Sequence, residues 1–274
     1  MNKANYRISI LGCGWLGLPL AFFFADQGLE VKGSSTSPNK LEVLKQKGIK
    51  AYQIELNPSL NSKFNSDFFN TDILVVNFPP IRRDDIIDWH TQQIESLISA
   101  VRKSEISKLI FVSSTSVYAD INNEVNELNR ETPSKNSGKA LRIAEELLGK
   151  ETGFKSSIIR FGGLIGYDRK PGRFFAGKKS IKNGDAPVNL IHRDDCINII
   201  NHIISKNIWG EILNACCPEH PKRKEFYKEA AIIQQFKIPE FEANTEGYKI
   251  VSCDKLIKSG YAFLYQNPID CLKY

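Results

Sequence analysis

From Tyr6 to Phe161 the chain switches regularly between two textures: short apolar runs that stop at glycine or a polar cluster, and longer stretches with apolar residues at helical spacing. Tyr6–Leu11 is a run with β-branched residues ending at glycine, and Trp15–Gln27 is an apolar helical pattern closed by Gly28. That predicts a strand, a tight turn and a helix. Leu29–Ser35 predicts a second strand. Pro38–Lys47 predicts a helix with Pro in its first turn and Gly48 beyond its end, and Ile49–Leu56 a third strand. Asp72–Asn77 is a continuous apolar strand of the kind buried on both faces, followed by a long amphipathic helix at Ile86–Lys103 and a buried strand at Lys108–Ser113. A helix at Gly138–Lys150 and a strand at Ser156–Phe161 complete the series. Repeated crossovers of this kind predict an α/β fold with a doubly wound parallel sheet.

Beyond Gly162 the texture changes to glycine, proline and basic residues as far as Pro187, then an apolar helix at Asp195–Ser205 and a mixed tail. The expected division is a dinucleotide-binding domain over 1–165, with 188–206 returning to it, and a small substrate-binding lobe from 166–187 and 207–274. The polar, Asn-rich stretch Asn57–Asn70 reads as a surface loop.

Composition adds exclusions. With 274 residues, 42% hydrophobic and 25% charged, the chain is an ordinary globular protein. The excess of 37 Lys+Arg over 31 Asp+Glu, net +6, is spread along the chain, so no nucleic-acid partner is expected. Cys13, Cys196, Cys216, Cys217, Cys253 and Cys271 form no CxxC pair and no metal-ligand spacing with histidine. They read as reduced thiols of a cytoplasmic protein, with no metal. Ile8–Ala25 looks superficially like a signal peptide behind Lys3 and Arg7, but the apolar stretch before Cys13 is too short. The glycines and Pro19 also argue against a spanning helix, so no membrane partner is expected.

Gly12-x-Gly14-x-x-Gly17 follows a strand and opens a helix, the context in which this spacing binds a dinucleotide. Gly12 permits the turn, Gly14 admits a pyrophosphate, and Gly17 lets helix and strand approach, with Trp15 and Leu16 completing the turn at the helix N-terminus. An acid at the end of the second strand would hold an adenine ribose 2′-hydroxyl. This chain has Gly33-Ser34-Ser35-Thr36 there instead, and Glu30 lies too early. Ser35 and Thr36 hydroxyls with Lys40 suit a 2′-phosphate, so NADP is favoured over NAD, although the usual arginine is missing.

Together with Asn77-Phe78-Pro79-Pro80, Val112-Ser113-Ser114-Thr115-Ser116-Val117-Tyr118, Glu131-Thr132-Pro133, Arg160-Phe161-Gly162-Gly163-Leu164-Ile165-Gly166 and Ile191-His192-Arg193-Asp194-Asp195, the glycine motif resembles the short-chain dehydrogenase/reductases. Over most of its length the chain is similar to their atypical, extended, epimerase/dehydratase-like branch. The resemblance implies a Rossmann-type sheet, a bound NAD(P), and cofactor contacts from Asn77, Pro79 and Ser113. It also implies a catalytic serine at Ser114 and a pocket residue at Tyr118. In the family a Tyr moves the proton and a Lys four positions later lowers its pKa. Counting from Glu131-Thr132-Pro133 and Glu145, Ser137 stands at the Tyr position and Leu141 at the Lys position, and neither can do that work.

The resemblance also places His192 and Asp195 at the start of a returning helix, with Asp195 capping backbone N–H groups. Arg169, Lys170, Arg173, Lys178 and Lys179 form a basic patch where extended members hold substrate, so a small-molecule substrate of anionic character is expected there. Two functions follow: an epimerase/dehydratase or oxidoreductase acting near Ser114 and Tyr118 with a degenerate catalytic site, or a non-catalytic dinucleotide-binding sensor.

Overall fold

A computed structural model describes residues 6–60 and 66–273. The elements run β1 (Arg7–Leu11), α1 (Gly17–Asp26), β2 (Glu30–Ser34), α2 (Pro38–Gln46), β3 (Lys50–Tyr52), α3 (Ser66–Phe69), β4 (Ile73–Val76), α4 (Ile86–Arg102) and β5 (Lys108–Ser114). They continue with β6 (Asn123–Val125), α5 (Asn136–Gly149), β7 (Lys155–Phe161), β8 (Gly163–Ile165), β9 (Leu190–His192), α6 (Arg193–Ser205), β10 (Ile212–Ala215), α7 (Arg223–Ile233), β11 (Lys249–Val251) and α8 (Asp254–Lys258). Seven strands make one sheet in the order β10-β7-β5-β4-β1-β2-β3. Its parallel registers place Ile8 beside Val31 on one side and Ile73 on the other. This is the expected doubly wound α/β fold.

The unbroken apolar runs have a direct physical cause. Ile8, Ile10, Ile73 to Val76 and Leu109 to Phe111 are fully buried, because inner strands of a parallel sheet are covered on both faces. Each such side chain contributes about 1.5–3 kcal/mol relative to exposure. The start of β1 is anchored by Arg7, whose backbone N–H and guanidinium both donate to the Asp72 carboxylate at 2.8 Å.

Two local expectations change. Only Lys50–Tyr52 of the Ile49–Leu56 run forms a strand. β3 pairs with β2 alone, and the register ends with Ser34 opposite Tyr52, so residues 53–56 have no ladder to join. Within Asn57–Asn70, residues 61–65 lie outside the described residues, and Ser66–Phe69 is helical with Phe68 and Phe69 buried. Lys32 of β2 fastens this helix by donating to the Asp67 and Asn70 carbonyls at 2.5 and 2.8 Å.

The chain divides into two compact units. One comprises residues up to Ser113, Lys135–Ile159 and Ile203–Ile212; the other comprises Ser114–Ser134, Arg160–His202 and Leu213 onward. This division differs from a boundary at 165 with 188–206 returning, because β9 pairs with β8 and Cys217 N–H donates to the Leu190 carbonyl at 2.7 Å, all within the second unit. That unit has its own core of Ile165, Val188, Leu190, Phe226, Ala230 and Leu272. Asp195 does not cap α6. It is buried and accepts from the Tyr261 hydroxyl at 2.6 Å and from the N–H groups of Leu264 and Tyr265 at 2.9 and 3.3 Å. It therefore fastens the C-terminal segment, and burial raises its pKa. Among the described residues no helix is long and apolar enough to cross a membrane.

Candidate functional site

In the first unit β1 lies between β2 and β4. The chain leaves β1 toward β2 and β3 and later returns on the other side through β4. Open α/β sheets bind ligands at the carboxyl ends of strands at such a switch point. A cavity of about 410 Å³ opens there. Gly12, Cys13 and Gly14 line it after β1, Ser34 to Thr36 and Lys40 after β2, Ile54 to Asn57 after β3, and Asn77 to Pro79 after β4. Ile81, Trp89 and Gln93 close another side.

The turn is held by its backbone. Gly12 has φ +104°, a conformation open to glycine and strained for other residues. Its N–H donates to Ser34 Oγ at 3.1 Å, and its carbonyl accepts from Asn77 Nδ2 at 2.9 Å. Cys13 N–H donates to the Ser34 carbonyl at 2.6 Å. A Cβ on Gly12 would fall 2.5 Å from the Asn77 carbonyl oxygen, and one on Gly17 would collide with the Gly12 carbonyl. A Cβ on Gly14 would meet nothing within 4 Å. The fold itself therefore requires Gly12 and Gly17, whereas Gly14 leaves open space in the cavity.

The start of α1 suits an anion. Its first turn carries no acidic residue and its N-cap, Leu16, makes no side-chain cap, so the helix N-terminus keeps its positive end for a ligand. Asn77, Ser34 and the open face of Gly14 complete a cradle that fits a dinucleotide pyrophosphate. Cys13 is no nucleophile here, since burial pushes its thiol up to about 12.

At the far end of β2, Ser35 is buried and its Oγ accepts from Ser37 N–H at 3.1 Å. Thr36 and Lys40 are exposed at the cavity. Of the other residues expected to contact a cofactor, Pro79 lines the cavity, whereas Trp15, Leu16, Gly17 and Ser113 are not among its described lining residues. Leu16 is buried in the fold. The Ser113 hydroxyl is committed to Glu145 Oε1 at 2.6 Å, tying β5 to α5 through two buried groups. The sequence reading missed Glu55, Trp89 and Gln93. No sequence signal marks Glu55, which reaches the cavity because β3 stops at Tyr52.

The catalytic candidates fare unevenly. On α5, Ser137 is half-buried, and Leu141 is 4% exposed, packed into the apolar face with Ala140, Ala144 and Leu148. In the second unit, Tyr118 is only 2% exposed. Its hydroxyl donates to Asn214 Oδ1 at 2.7 Å and accepts from Arg160 Nη1 at 2.6 Å. Burial raises its pKa, and both sides of the phenol oxygen are spent inside the fold. Ser114 is half-buried, and its Oγ accepts from Ser116 N–H at 3.1 Å, which leaves its own proton available. His192 is buried, with Nδ1 accepting from Asp194 N–H at 3.3 Å, and burial lowers its pKa. Arg169, Lys170, Arg173, Lys178 and Lys179 are all exposed, and Lys179 pairs with Glu240 at 3.1 Å.

Comparison with known proteins agrees with this geometry. The profile of the family described as NAD(P)H-binding matches residues 13–204. Protein YeeZ of Escherichia coli strain K12 is 33% identical over 268 residues, covering 96% of this chain and 97% of the relative. A short-chain dehydrogenase/reductase superfamily protein from Agrobacterium tumefaciens, solved with bound NAD, superposes with TM-score 0.79 at 14% identity, over 97% of this chain and 94% of the other. UDP-N-acetylglucosamine 4-epimerase from Bacillus cereus superposes with TM-score 0.78 at 14% identity, over 98% and 97%. The chain belongs to the NAD(P)H-binding family and has the fold of the short-chain dehydrogenase/reductases, with a nicotinamide dinucleotide as its cofactor.

Proposed function

We propose that this protein binds NADPH in preference to NADH and that its own side chains no longer supply the proton-transfer pair of the short-chain dehydrogenase/reductases. The observation that carries the second half is the commitment of Tyr118, whose hydroxyl is held between Arg160 and Asn214, while Ser137 and Leu141 stand on α5 where the family resemblance places Tyr and Lys. When bound, the cofactor supplies a hydride at the nicotinamide C4. The Gly12–Gly17 turn holds the pyrophosphate, Asn77 fixes the turn through the Gly12 carbonyl, and Ser35, Thr36 and Lys40 receive the 2′-phosphate. No carboxylate stands at the end of β2 to repel that phosphate.

Dissociation constants of the two cofactors, measured at one salt concentration, test the preference. NADPH is expected to bind more tightly, and Ser35→Asp to reverse the order. Tighter NADH binding by the native chain overturns the reading. A panel of small carbonyl compounds tests the chemistry. NADPH oxidation is expected to run about 10²–10⁴-fold below an enzyme with its general acid in place, the behaviour of a protein that binds the dinucleotide as a sensor.

A second reading keeps epimerase/dehydratase or oxidoreductase activity on a small-molecule substrate held by the second unit. Ser114 favours it, because its hydroxyl accepts from Ser116 and still has a proton to donate. Brisk turnover that survives Tyr118→Phe and is lost in Ser114→Ala would select this reading.

A further inference from the structure

The switch-point cavity of the first unit is prepared for one half of a dinucleotide. We propose that recognition rests on the adenosine diphosphate half, so that the protein takes 2′-phospho-ADP-ribose, NADP⁺ and NADPH alike and does not read the nicotinamide ring. The inference rests on the cofactor reading for the place of the phosphates. It goes beyond that reading in naming the ligand class as adenine nucleotides with or without a nicotinamide.

With the pyrophosphate on the Gly12–Gly17 turn and the 2′-phosphate at Ser35, Thr36 and Lys40, the base on that same ribose falls against the remaining wall of the cavity. That wall is largely apolar, made by Ile54, Leu56, Ile81 and Trp89, and Ile81 is left 49% exposed. Apolar surface uncovered in a concave site is what a flat aromatic base buries. Glu55 stands exposed beside it. An ionised carboxylate only accepts, which suits the exocyclic amino group of adenine.

The wall is braced before any ligand arrives. Gln93 Nε2 donates to the Leu56 carbonyl at 2.8 Å, which fixes the amide, so Gln93 Oε1 accepts from His90 Nδ1 at 3.1 Å. His90 is fully buried and burial lowers its pKa, so the ring stays neutral in this role. The Arg83 guanidinium lies 3.5 Å from the centre of the Trp89 ring, and its Nη2 donates to Asp85 Oδ2 at 2.9 Å. The indole is thereby clamped, and a pre-ordered wall lowers the entropy cost of binding. Trp89 Nε1 is buried with no hydrogen-bond partner among the described residues, a cost that an acceptor on the bound nucleoside removes.

The other half of the dinucleotide meets a different chemistry in this unit. Leu141, at the position where the resemblance places a Lys, is packed into the apolar face of α5 and carries no charge. The Ser113 hydroxyl is spent on Glu145. NADPH and NADP⁺ differ only in the nicotinamide ring, and 2′-phospho-ADP-ribose lacks it, so a site that grips the adenosine half gives all three nearly one affinity.

Titration calorimetry with NADPH, NADP⁺, 2′-phospho-ADP-ribose and nicotinamide mononucleotide tests the proposal. The first three are expected to bind within about threefold of one another, and nicotinamide mononucleotide not to bind at concentrations that saturate the protein with NADPH. Trp89→Ala should weaken all three equally, by about tenfold or more. Trp89→Phe keeps an aromatic ring and removes the N–H donor. It should weaken all three severalfold, and it keeps the test decisive if the alanine variant fails to fold. A loss of about tenfold or more from NADP⁺ to 2′-phospho-ADP-ribose overturns the proposal, as does the same gap between NADPH and NADP⁺. So does binding of nicotinamide mononucleotide, or native affinity in either folded Trp89 variant. Tighter NADH binding overturns the cofactor preference alone, since the same comparison is then read with NADH, NAD⁺ and ADP-ribose. Full dinucleotide affinity with weak 2′-phospho-ADP-ribose binding overturns this inference alone, and binding of none of the three overturns both.

Discussion

The turn at Gly12–Gly17 and the first half of α5 belong to the same compact unit, yet they are built in very different ways. The turn works through backbone shape: Gly12 and Gly17 are required by packing, and Gly14 alone is left over for a ligand. The head of α5 would have to work through side chains, and there the fold has taken them over. Leu141 is core, and Glu145 is bound to Ser113. A phosphate cradle survives as long as the chain path survives, whereas acid–base chemistry is lost one side chain at a time. On the proposed function, binding without the family's proton transfer follows from this difference.

The sharpest way to break this comparison is Gly14→Val. A Cβ there meets no protein atom, so the variant should melt close to the native temperature while losing NADPH affinity by about 100-fold or more, equivalent to about 2.8 kcal/mol. Gly12→Val should lose stability and binding together. Native affinity for NADPH in a fluorescence titration of Gly14→Val would remove the phosphate site from the turn.

On α5 the expected damage runs the other way. Leu141→Lys puts an ammonium group where an apolar side chain is buried and should cost about 3 kcal/mol or more in a urea melt, with little direct effect on the turn. Restoring the family pair as Ser137→Tyr with Leu141→Lys should consequently fail to raise carbonyl turnover unless the core is repacked first. A double variant as stable as the native chain would show that α5 is not committed to the core in this way.

Ser113→Ala should cost about 1.5–3 kcal/mol, because the buried Glu145 carboxylate loses its hydroxyl donor. Ser113→Thr, which keeps a donor, should recover part of the loss. If Ser113→Ala instead weakened NADPH binding with stability intact, the serine would belong to the cofactor site and not to the β5–α5 tie.

The smallest effect concerns Asp72, whose pKa is lowered chiefly by its hydrogen bond to the Arg7 side chain. A depressed carboxylate stabilises the fold fully above its ordinary value of about 3.9 and loses that contribution as pH falls through the lower native value. The stability gap between native protein and Asp72→Asn should hence be constant near neutrality and close in acid. A gap that widened below that range would contradict the assignment.

Much of the fold was legible because its elements bury themselves by local pattern. β1, β4 and β5 are continuous apolar runs, α4 carries an apolar stripe, and a glycine triplet between a strand and a helix leaves few other chain paths. The three-residue strands β6, β8, β9 and β11 were not legible, since runs so short carry no periodicity and exist only through partners distant in the chain. The same limit governed the site. Residues with a motif, Gly12, Gly14, Ser35, Thr36, Lys40, Asn77 and Pro79, could be named from order along the chain and line one cavity. Glu55 and Trp89 reach it only because β3 stops short and α4 packs nearby.

Side-chain availability was the part that tertiary structure alone decided. Nothing local marks Tyr118 as spent, Ser113 as tied to Glu145, or Asp195 as the anchor of Tyr261, Leu264 and Tyr265. Each depends on a partner between 32 and 96 residues away. Backbone conformation is a local property written in residue type and spacing, but whether a hydroxyl or carboxylate remains free for chemistry depends on which distant group the finished fold brings within hydrogen-bonding distance.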